Sequence, residues 1–205
     1  MAIDIRIETE KRGGIEAIQR KFKDKLSDSV ILRSTAQAIN STMARAIQKI
    51  NKEVKANYNI TQKYLKRIAD VKPKATSNAL YSGIRLQYMT IPIIAFKPKQ
   101  TSSGIDVAVR KGSPKSIRSA FVQKMPSGHE GVYARGRYQK GQGFVPGDIV
   151  NKKGRALITE IKTASPFTMG LSDKVSKQVT TFIGTEVLRA TEGILSRRIA
   201  ELASQ

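Results

Sequence analysis

The residues that could carry out catalysis are few and scattered. His129 is the only histidine and the chain has no cysteine, which excludes two-histidine metal motifs, thiolate metal sites and cysteine nucleophiles. His129, Asp148 and a serine could nominally form a triad, but no Gly-x-Ser-x-Gly segment supports a nucleophile. We therefore expect His129 to be a polar turn residue. The prediction is a protein that is not an enzyme and that has no cofactor or metal.

The acidic residues and glycines in the middle of the chain suggest no other chemistry. Only four acidic residues occur between residues 61 and 155, too far apart to suggest magnesium ligands: Asp70, Asp106, Glu130 and Asp148. The Gly136–Gly147 stretch has no phosphate-binding lysine pattern and no clear helix after it. The favoured interpretation of residues 135–154 is a long mobile loop.

Positive charge is the strongest chemical signal. The chain has 37 Lys and Arg against 16 Asp and Glu, a net charge of +21. Residues 61–155 alone hold 19 basic and 4 acidic residues, a net charge of +15. Such an excess destabilises a compact monomer by self-repulsion and attracts polyanions. Nucleic acid, an anionic membrane surface or an acidic partner protein could supply the countercharge.

Ten basic residues of this segment form a candidate DNA-facing patch. They are Arg110, Lys111, Lys115, Arg118, Arg135, Arg137, Lys140, Lys152, Lys153 and Arg155. With Tyr133 and Tyr138 among them, they could neutralise phosphates without reading base sequence. No helix-turn-helix, zinc finger or aromatic RNA-binding signature accompanies them. A solvated basic face, or one paired with an acidic subunit, fits the pattern equally well.

Amphipathic helices are predicted at both ends of the chain. An apolar stripe with spacings of three and four indicates a helix of about 25 residues that starts near Ser27 or Asp28: Leu32, Ala36, Ile39, Met43, Ala46 and Ile50. Shorter helices are expected around Gly14–Lys25 and from Thr61. Ser165 and Pro166 are a helix-start signal. The long helix that follows has a looser stripe: Val175, Val179, Phe182, Val187, Ile194, Ile199 and Leu202.

Strands are predicted between the helical regions, which makes the fold class α+β. Ile105, Val107 and Val109 alternate with more polar residues, as in a half-buried strand. A hairpin is expected from Ile91–Phe96 and that strand, and a second from Ala120–Lys124 and Gly131–Arg135. Three regions follow along the chain: helical residues 1–74, a basic sheet region at 75–164, and a helix at 165–205. They are expected to form one compact domain.

The long C-terminal helix needs packing partners, because Gly184 and Gly193 each weaken it by about 1 kcal/mol relative to alanine. Its partner could be the first long helix or a neighbouring subunit. We predict that a subunit interface involves five residues of the two helices: Ala36, Ile39, Met43, Phe182 and Val187. No apolar run approaches the roughly 20 residues that span a bilayer.

Two segments together resemble the prophage minor tail protein Z family. They are Ala36–Asn40, which opens the long helix, and Ala120–Arg135, in which an aromatic, a Gly, a Gly-Val-aromatic and an Arg follow in order. The Ile158–Met169 segment is similar to the end of that family's core. The resemblance covers roughly residues 30–170, and residues 135–154 have no counterpart that we can align.

The resemblance implies a structural virion protein of the tail-completion type, assembled in the host cytoplasm. Such a protein finishes the head-proximal end of a long tail beside the tail terminator, the tail tube and the neck proteins. It implies a homo-oligomeric ring, plausibly a hexamer, around a channel used by DNA. Six copies would carry a formal charge near +126, which DNA or acidic neighbours would have to neutralise. Another neck or tail-terminator protein, or a non-specific nucleic-acid-binding protein outside the particle, remains an alternative.

Overall fold

The computed structural model describes residues 10–65, 69–140, 142–147, 150, 154 and 157–204. It confirms the α+β prediction, with long helices near both ends and small antiparallel sheets between them. By their internal contacts the residues form two compact units. Unit 1 comprises Met1–Glu53, Arg67–Tyr88 and Phe167–Gln205, and unit 2 comprises Val54–Lys66 and Met89–Pro166. Helix residues from near both ends of the chain thus belong to unit 1.

The described α-helices are α1 (Glu10–Phe22), α2 (Asp28–Asn57), α3 (Gln62–Leu65), α4 (Pro166–Gly170) and α5 (Asp173–Ala203), and a 3-10 helix (Ile93–Phe96) lies between α3 and α4. The described strands are β1 (Ala69–Val71), β2 (Ile84–Leu86), β3 (Ile91–Pro92), β4 (Lys99–Gln100), β5 (Gly104–Arg110), β6 (Ser113–Arg118), β7 (Phe121–Lys124), β8 (Glu130–Gln139), β9 (Gly143–Pro146), β10 (Ile158–Glu160) and β11 (Lys162–Thr163). Within the described part of the chain, no helix has the length and apolarity needed to cross a membrane.

Helix α2 buries the apolar stripe that the sequence predicts. Ile39 is 1% exposed, and Met43 and Ala46 are fully buried. The same helix binds the segment that follows β1 through the Asn40 side-chain amide. This amide donates to the Ala75 carbonyl oxygen (2.9 Å) and accepts a hydrogen bond from the Ala75 N–H (2.8 Å). The core of unit 1 is therefore organised along α2.

Helix α1 packs against α5 through an apolar cluster. Its buried members are Phe22, Leu26, Ile31 and Leu195, with Ile18, Val30 and Ile199 packed around them. Polar contacts flank the cluster: Lys21 Nζ lies 2.8 Å from Glu192 Oε1, and Gln19 donates to the Thr35 hydroxyl at 3.0 Å. Helices α1 and α5 are thus held together within unit 1.

The buried stripe of α5 differs from the predicted one. The buried residues recur every four positions: Val175, Val179, Ile183, Val187, Thr191 and Leu195. Leu202, which the prediction included, is 56% exposed. The predicted apolar stripe does not include Thr191, because threonine is polar. Its hydroxyl donates to the Val187 carbonyl oxygen at 2.8 Å, and this hydrogen bond allows the side chain to be buried.

The predicted single helix from residue 165 is also interrupted. Helix α4 ends at Gly170, where an added Cβ would lie 2.9 Å from the Leu86 side chain. The chain turns at Ser172, whose hydroxyl donates to the Met169 carbonyl oxygen at 2.9 Å, and α5 begins at the next residue. The absence of a side chain at Gly170 thus allows the close approach to Leu86 of β2 where α4 ends.

A largely buried carboxylate joins α2 and α5. Glu186 forms an ion pair with Arg45 of α2 and accepts two hydrogen bonds from Arg189, at 2.8 and 3.1 Å. The hydrogen bonds from Arg189 lower the pKa of Glu186, the charge of Arg45 acts in the same direction, and burial opposes both.

We expect Glu186→Gln to lower the free energy of unfolding at pH 7 by about 1 to 2 kcal/mol, because the charged hydrogen bonds are lost but both arginines keep water contact. The pKa of Glu186 is lower in the folded state, so this stabilisation is present at neutral pH. It disappears as the pH falls through the folded-state pKa. Urea denaturation of both proteins at pH 7 and at about pH 3 measures this difference in the free energy of unfolding. Glu201→Gln, at an exposed pair, is the control, and an equal loss for Glu186→Gln at both pH values would contradict the assignment.

Unit 2 is built on short antiparallel sheets around a buried 3-10 helix. One sheet has the order β4-β5-β6; in another β8 pairs with β7, β9 and β10, and β3 pairs with β11. Ala95 and Phe96 of the 3-10 helix are almost fully buried. Gln100 links the first two sheets, because its side chain donates to the Gly104 carbonyl oxygen and accepts from the Val122 N–H, each at 2.8 Å. The predicted strands β5, β7 and β8 are confirmed, whereas Ile93–Phe96 forms a 3-10 helix in place of extended chain.

Candidate functional site

The described residues of the predicted basic patch all lie in unit 2. By sequence this unit has 17 basic and 4 acidic residues, a net charge of +13. One group is on β5, β6 and their turn: Arg110, Lys111, Lys115 and Arg118. The other is on β8 and the turn after it: Arg135, Arg137 and Lys140. All seven are exposed, and the predicted members Lys152, Lys153 and Arg155 lie outside the described residues.

The first group stands on a strand that the sequence did not reveal. β6 pairs with β5, but its residues are almost all exposed and include Pro114, so no alternation marked it. A register shift between Val107 and Arg110 bends β5. The Arg110 guanidinium lies 5.7 Å from the centre of the Tyr58 ring, within cation–π range. Lys115 and Arg118 are an odd number of positions apart on β6, so they lie on opposite faces of that sheet.

The second group stands on a hairpin, which corrects the loop prediction for residues 135–146, while most of residues 148–154 lie outside the described residues. β8 continues to Gln139 and pairs with β9 through Arg137 and Val145. The glycines that suggested a loop serve the pairing: a Cβ on Gly136, at φ +143°, would lie 2.3 Å from the Val145 carbonyl oxygen. Tyr138 packs edge-on against Phe144 with ring centres 5.5 Å apart. Strand pairing and this ring contact stabilise the hairpin.

Arg135 and Arg137 are two positions apart on β8, and both are exposed. Lys140 follows at the exposed turn. The hairpin is tied to β11, since the Lys162 N–H donates to the Tyr138 hydroxyl oxygen at 2.6 Å. The arrangement places two exposed arginines close together on one paired hairpin, which suits contacts with phosphates and has no base-reading geometry.

His129 lies in the turn between β7 and β8, as its prediction as a turn residue requires. Its Nε2 is 2.8 Å from Glu160 Oε1 on β10, a partner that the sequence could not identify. Burial raises the pKa of the nearby Tyr133 hydroxyl, and the charge of Glu160 adds to this effect. In the described residues no group of three or more His, Cys, Asp or Glu could hold a metal ion.

The residues predicted for a subunit interface are mostly in the core of unit 1. Ile39, Met43 and Val187 are at most 1% exposed, and Ala36 is also buried. Phe182 alone is half-buried. In the single chain these side chains contact their own unit, and a role in contacting a second chain stays a prediction.

Sequence reasoning missed a lysine-lined cleft in unit 2. The cleft, of about 770 Å³, lies where the end of α2 meets β4 and β5, and four lysines line it: Lys55, Lys97, Lys99 and Lys111. Only Lys111 belonged to the predicted patch. The other three are distant in sequence and precede or lie between the predicted strands, so no local pattern connected them.

Comparison with protein-family models decides the family. The model of prophage minor tail protein Z matches residues 12–197, from α1 to near the end of α5. The chain belongs to the prophage minor tail protein Z family. This confirms the resemblance seen at residues 30–170 and extends it to both terminal helices. Comparisons with curated proteins and with solved structures found no match.

Membership of the minor tail protein Z family makes the protein a structural component of a phage tail. The match includes all of β8 and β9, so the hairpin with Arg135 and Arg137 lies within the family's extent. The match also includes the lysine-lined cleft. The β8–β9 hairpin and the lysine-lined cleft therefore both lie within the residues that the family model matches.

Proposed function

We propose that this minor tail protein Z family member is a non-enzymatic tail-completion protein. It finishes the head-proximal end of the tail and supports head–tail joining. It acts there as a homo-oligomeric ring of six chains, beside the tail terminator, the tail tube and the neck proteins. The observation that carries the proposal is the pair of exposed arginines Arg135 and Arg137 on the β8–β9 hairpin, in a unit of net charge +13.

Electrostatics supports a position beside DNA. Copies of so basic a unit repel one another when a ring brings them together, unless a polyanion neutralises them. Guanidinium groups on the hairpin can neutralise phosphates without base specificity, and that is what a channel for any genome requires. The hairpin holds the leading DNA end after the tail docks to a filled head.

Immunogold electron microscopy of intact particles and of partly disassembled tails tests the location. Label confined to the head-proximal tail end is the expected result. Label at the distal tip would assign the protein to adsorption machinery. Particles that carry none of the protein, by labelling and by mass spectrometry, would overturn the structural proposal and favour a DNA-binding protein outside the particle.

A further inference from the structure

We infer that the lysine-lined cleft of unit 2 is a docking site for an acidic, partly apolar peptide segment of a neighbouring protein. The inference concerns a protein partner, so it does not depend on the position of the protein in the tail or on a contact with DNA.

The cleft is preformed by backbone hydrogen bonds. After α2 ends, the Asn59 N–H donates to the Val109 carbonyl oxygen (3.1 Å) and the Thr61 N–H donates to that of Ala95 (2.9 Å). The Asn59 side chain also donates to the Ala108 carbonyl oxygen at 2.8 Å. The segment that forms one wall is therefore fixed to β5 and to the 3-10 helix. A partner segment would not have to order this wall when it binds.

The charge of the cleft is unbalanced. Four lysines line it, and among the described residues none of their ammonium groups forms an ion pair with a carboxylate. Asp106 is the one acidic residue of the lining, and its carboxylate accepts a hydrogen bond from the Ser116 hydroxyl. An occupant must therefore bring negative charge of its own.

Lys97 supports a binding role through its backbone. It has φ +53°, a left-handed conformation that is uncommon for a residue other than glycine. Such conformations concentrate at binding sites, where the surrounding structure maintains them. Here the Lys97 N–H donates to the Ile94 carbonyl oxygen, and the residue ends the 3-10 helix at the cleft.

The lining favours a peptide over a phosphate group or a DNA duplex. Phosphate cradles use free backbone N–H groups, but those of Asn59, Thr61 and Lys111 already donate to carbonyl oxygens. The half-buried Ala108 and the exposed Pro114 add apolar surface to the lining, which suits an aliphatic side chain between carboxylates. A concave volume of about 770 Å³ accepts a few residues of a peptide, whereas a duplex presents a convex surface.

Fluorescence anisotropy of a labelled peptide tests the inference on the full-length protein. The probe has about ten residues in which Glu alternates with Leu, and its counterpart has Gln at every Glu. We expect saturable binding of the acidic probe and at least about tenfold weaker binding of the Gln probe, because the charges are lost. Lack of saturable binding below about 1 mM would overturn the inference.

Matched charge reversals locate the binding site. The variant with Lys99→Glu and Lys111→Glu should bind the acidic peptide at least about tenfold more weakly. The control with Lys115→Glu and Lys124→Glu has the same net charge and changes exposed lysines outside the cleft, so its affinity should fall less than about threefold. Equal losses would indicate non-specific attraction and overturn the site. Circular dichroism verifies that both variants fold.

Photo-cross-linking on the unaltered protein gives a second measurement. A photoreactive acidic peptide should link to residues 55–62 and 96–114, and links confined to other surfaces would overturn the inference. Competition by a short DNA duplex distinguishes the other occupant. If the duplex displaces the peptide and the cleft reversal weakens duplex binding equally, the cleft binds nucleic acid and the inference is wrong.

Discussion

Replacing Arg135, Arg137 and Lys140 with glutamate is expected to lower DNA binding by the purified protein by about 10- to 100-fold at low salt. The reason is that three cations become anions on and beside one hairpin. The slope of log affinity against log salt should become shallower by about two to three, since each lost phosphate contact contributes about 0.9. Anisotropy titrations of a labelled duplex at stepped salt concentrations measure both quantities. In a phage that depends on this gene, infectivity and DNA retention should fall in parallel.

Unit 1 offers a matched control for this triple reversal. Lys23, Lys25 and Arg33 are exposed, and their replacement by glutamate makes the same change in net charge. We expect this variant to keep most of its DNA affinity and its infectivity, because unit 1 lacks the basic hairpin. If the hairpin variant retains infectivity and DNA in the particle, the proposed contact with channel DNA is wrong. If both variants lose affinity equally, net charge alone explains the binding.

The elements that the sequence predicted well are those in which one face is buried and the spacing is regular. The stripe from Ala36 to Ile50 repeats every three or four residues, and α2 buries it. Ile105 and Val107 alternate with exposed or half-buried residues, and β5 follows. The hairpin predicted from Ala120–Lys124 and Gly131–Arg135 forms, with Gly128 at φ +82° in its turn. Periodicity and turn chemistry are local properties, so they can be recognised without tertiary contacts.

The elements that escaped prediction depend on distant partners. β6 shows no alternation because nearly all its residues face solvent, and only its pairing with β5 makes it a strand. Gly136 suggested a loop, yet its missing side chain allows β9 to approach. The four lysines of the cleft come from three separate segments and meet only when α2 ends against β5. The β8–β9 hairpin and the lining of the cleft depend on tertiary contacts, which local composition does not predict.

The two buried stripes also explain why a subunit interface was predicted on residues that the core uses. A helix with an apolar stripe needs a partner, and the pattern is identical whether that partner is in the same chain or in another. Ile39, Met43 and Val187 have almost no exposed surface within the single chain. Stability measured against protein concentration separates these two roles, because association stabilises a chain by mass action.

We expect Met43→Ala to lower the free energy of unfolding by about 2 to 5 kcal/mol, because the side chain is fully buried and its removal leaves a cavity. The loss should be the same at every protein concentration if Met43 packs only within its own unit. Urea denaturation at concentrations about a hundredfold apart measures it, while sedimentation reports the oligomeric state.

Phe182→Ala is the comparison, because Phe182 is the half-buried member of the predicted interface. A side chain that contacts a second chain should, when truncated, weaken association and make the loss of stability depend on concentration. If Met43→Ala behaves in that way, its burial in the single chain is not its main role, and the core assignment fails. If Phe182→Ala alone does so, the interface lies on the outer side of α5, beside a core that each chain completes by itself.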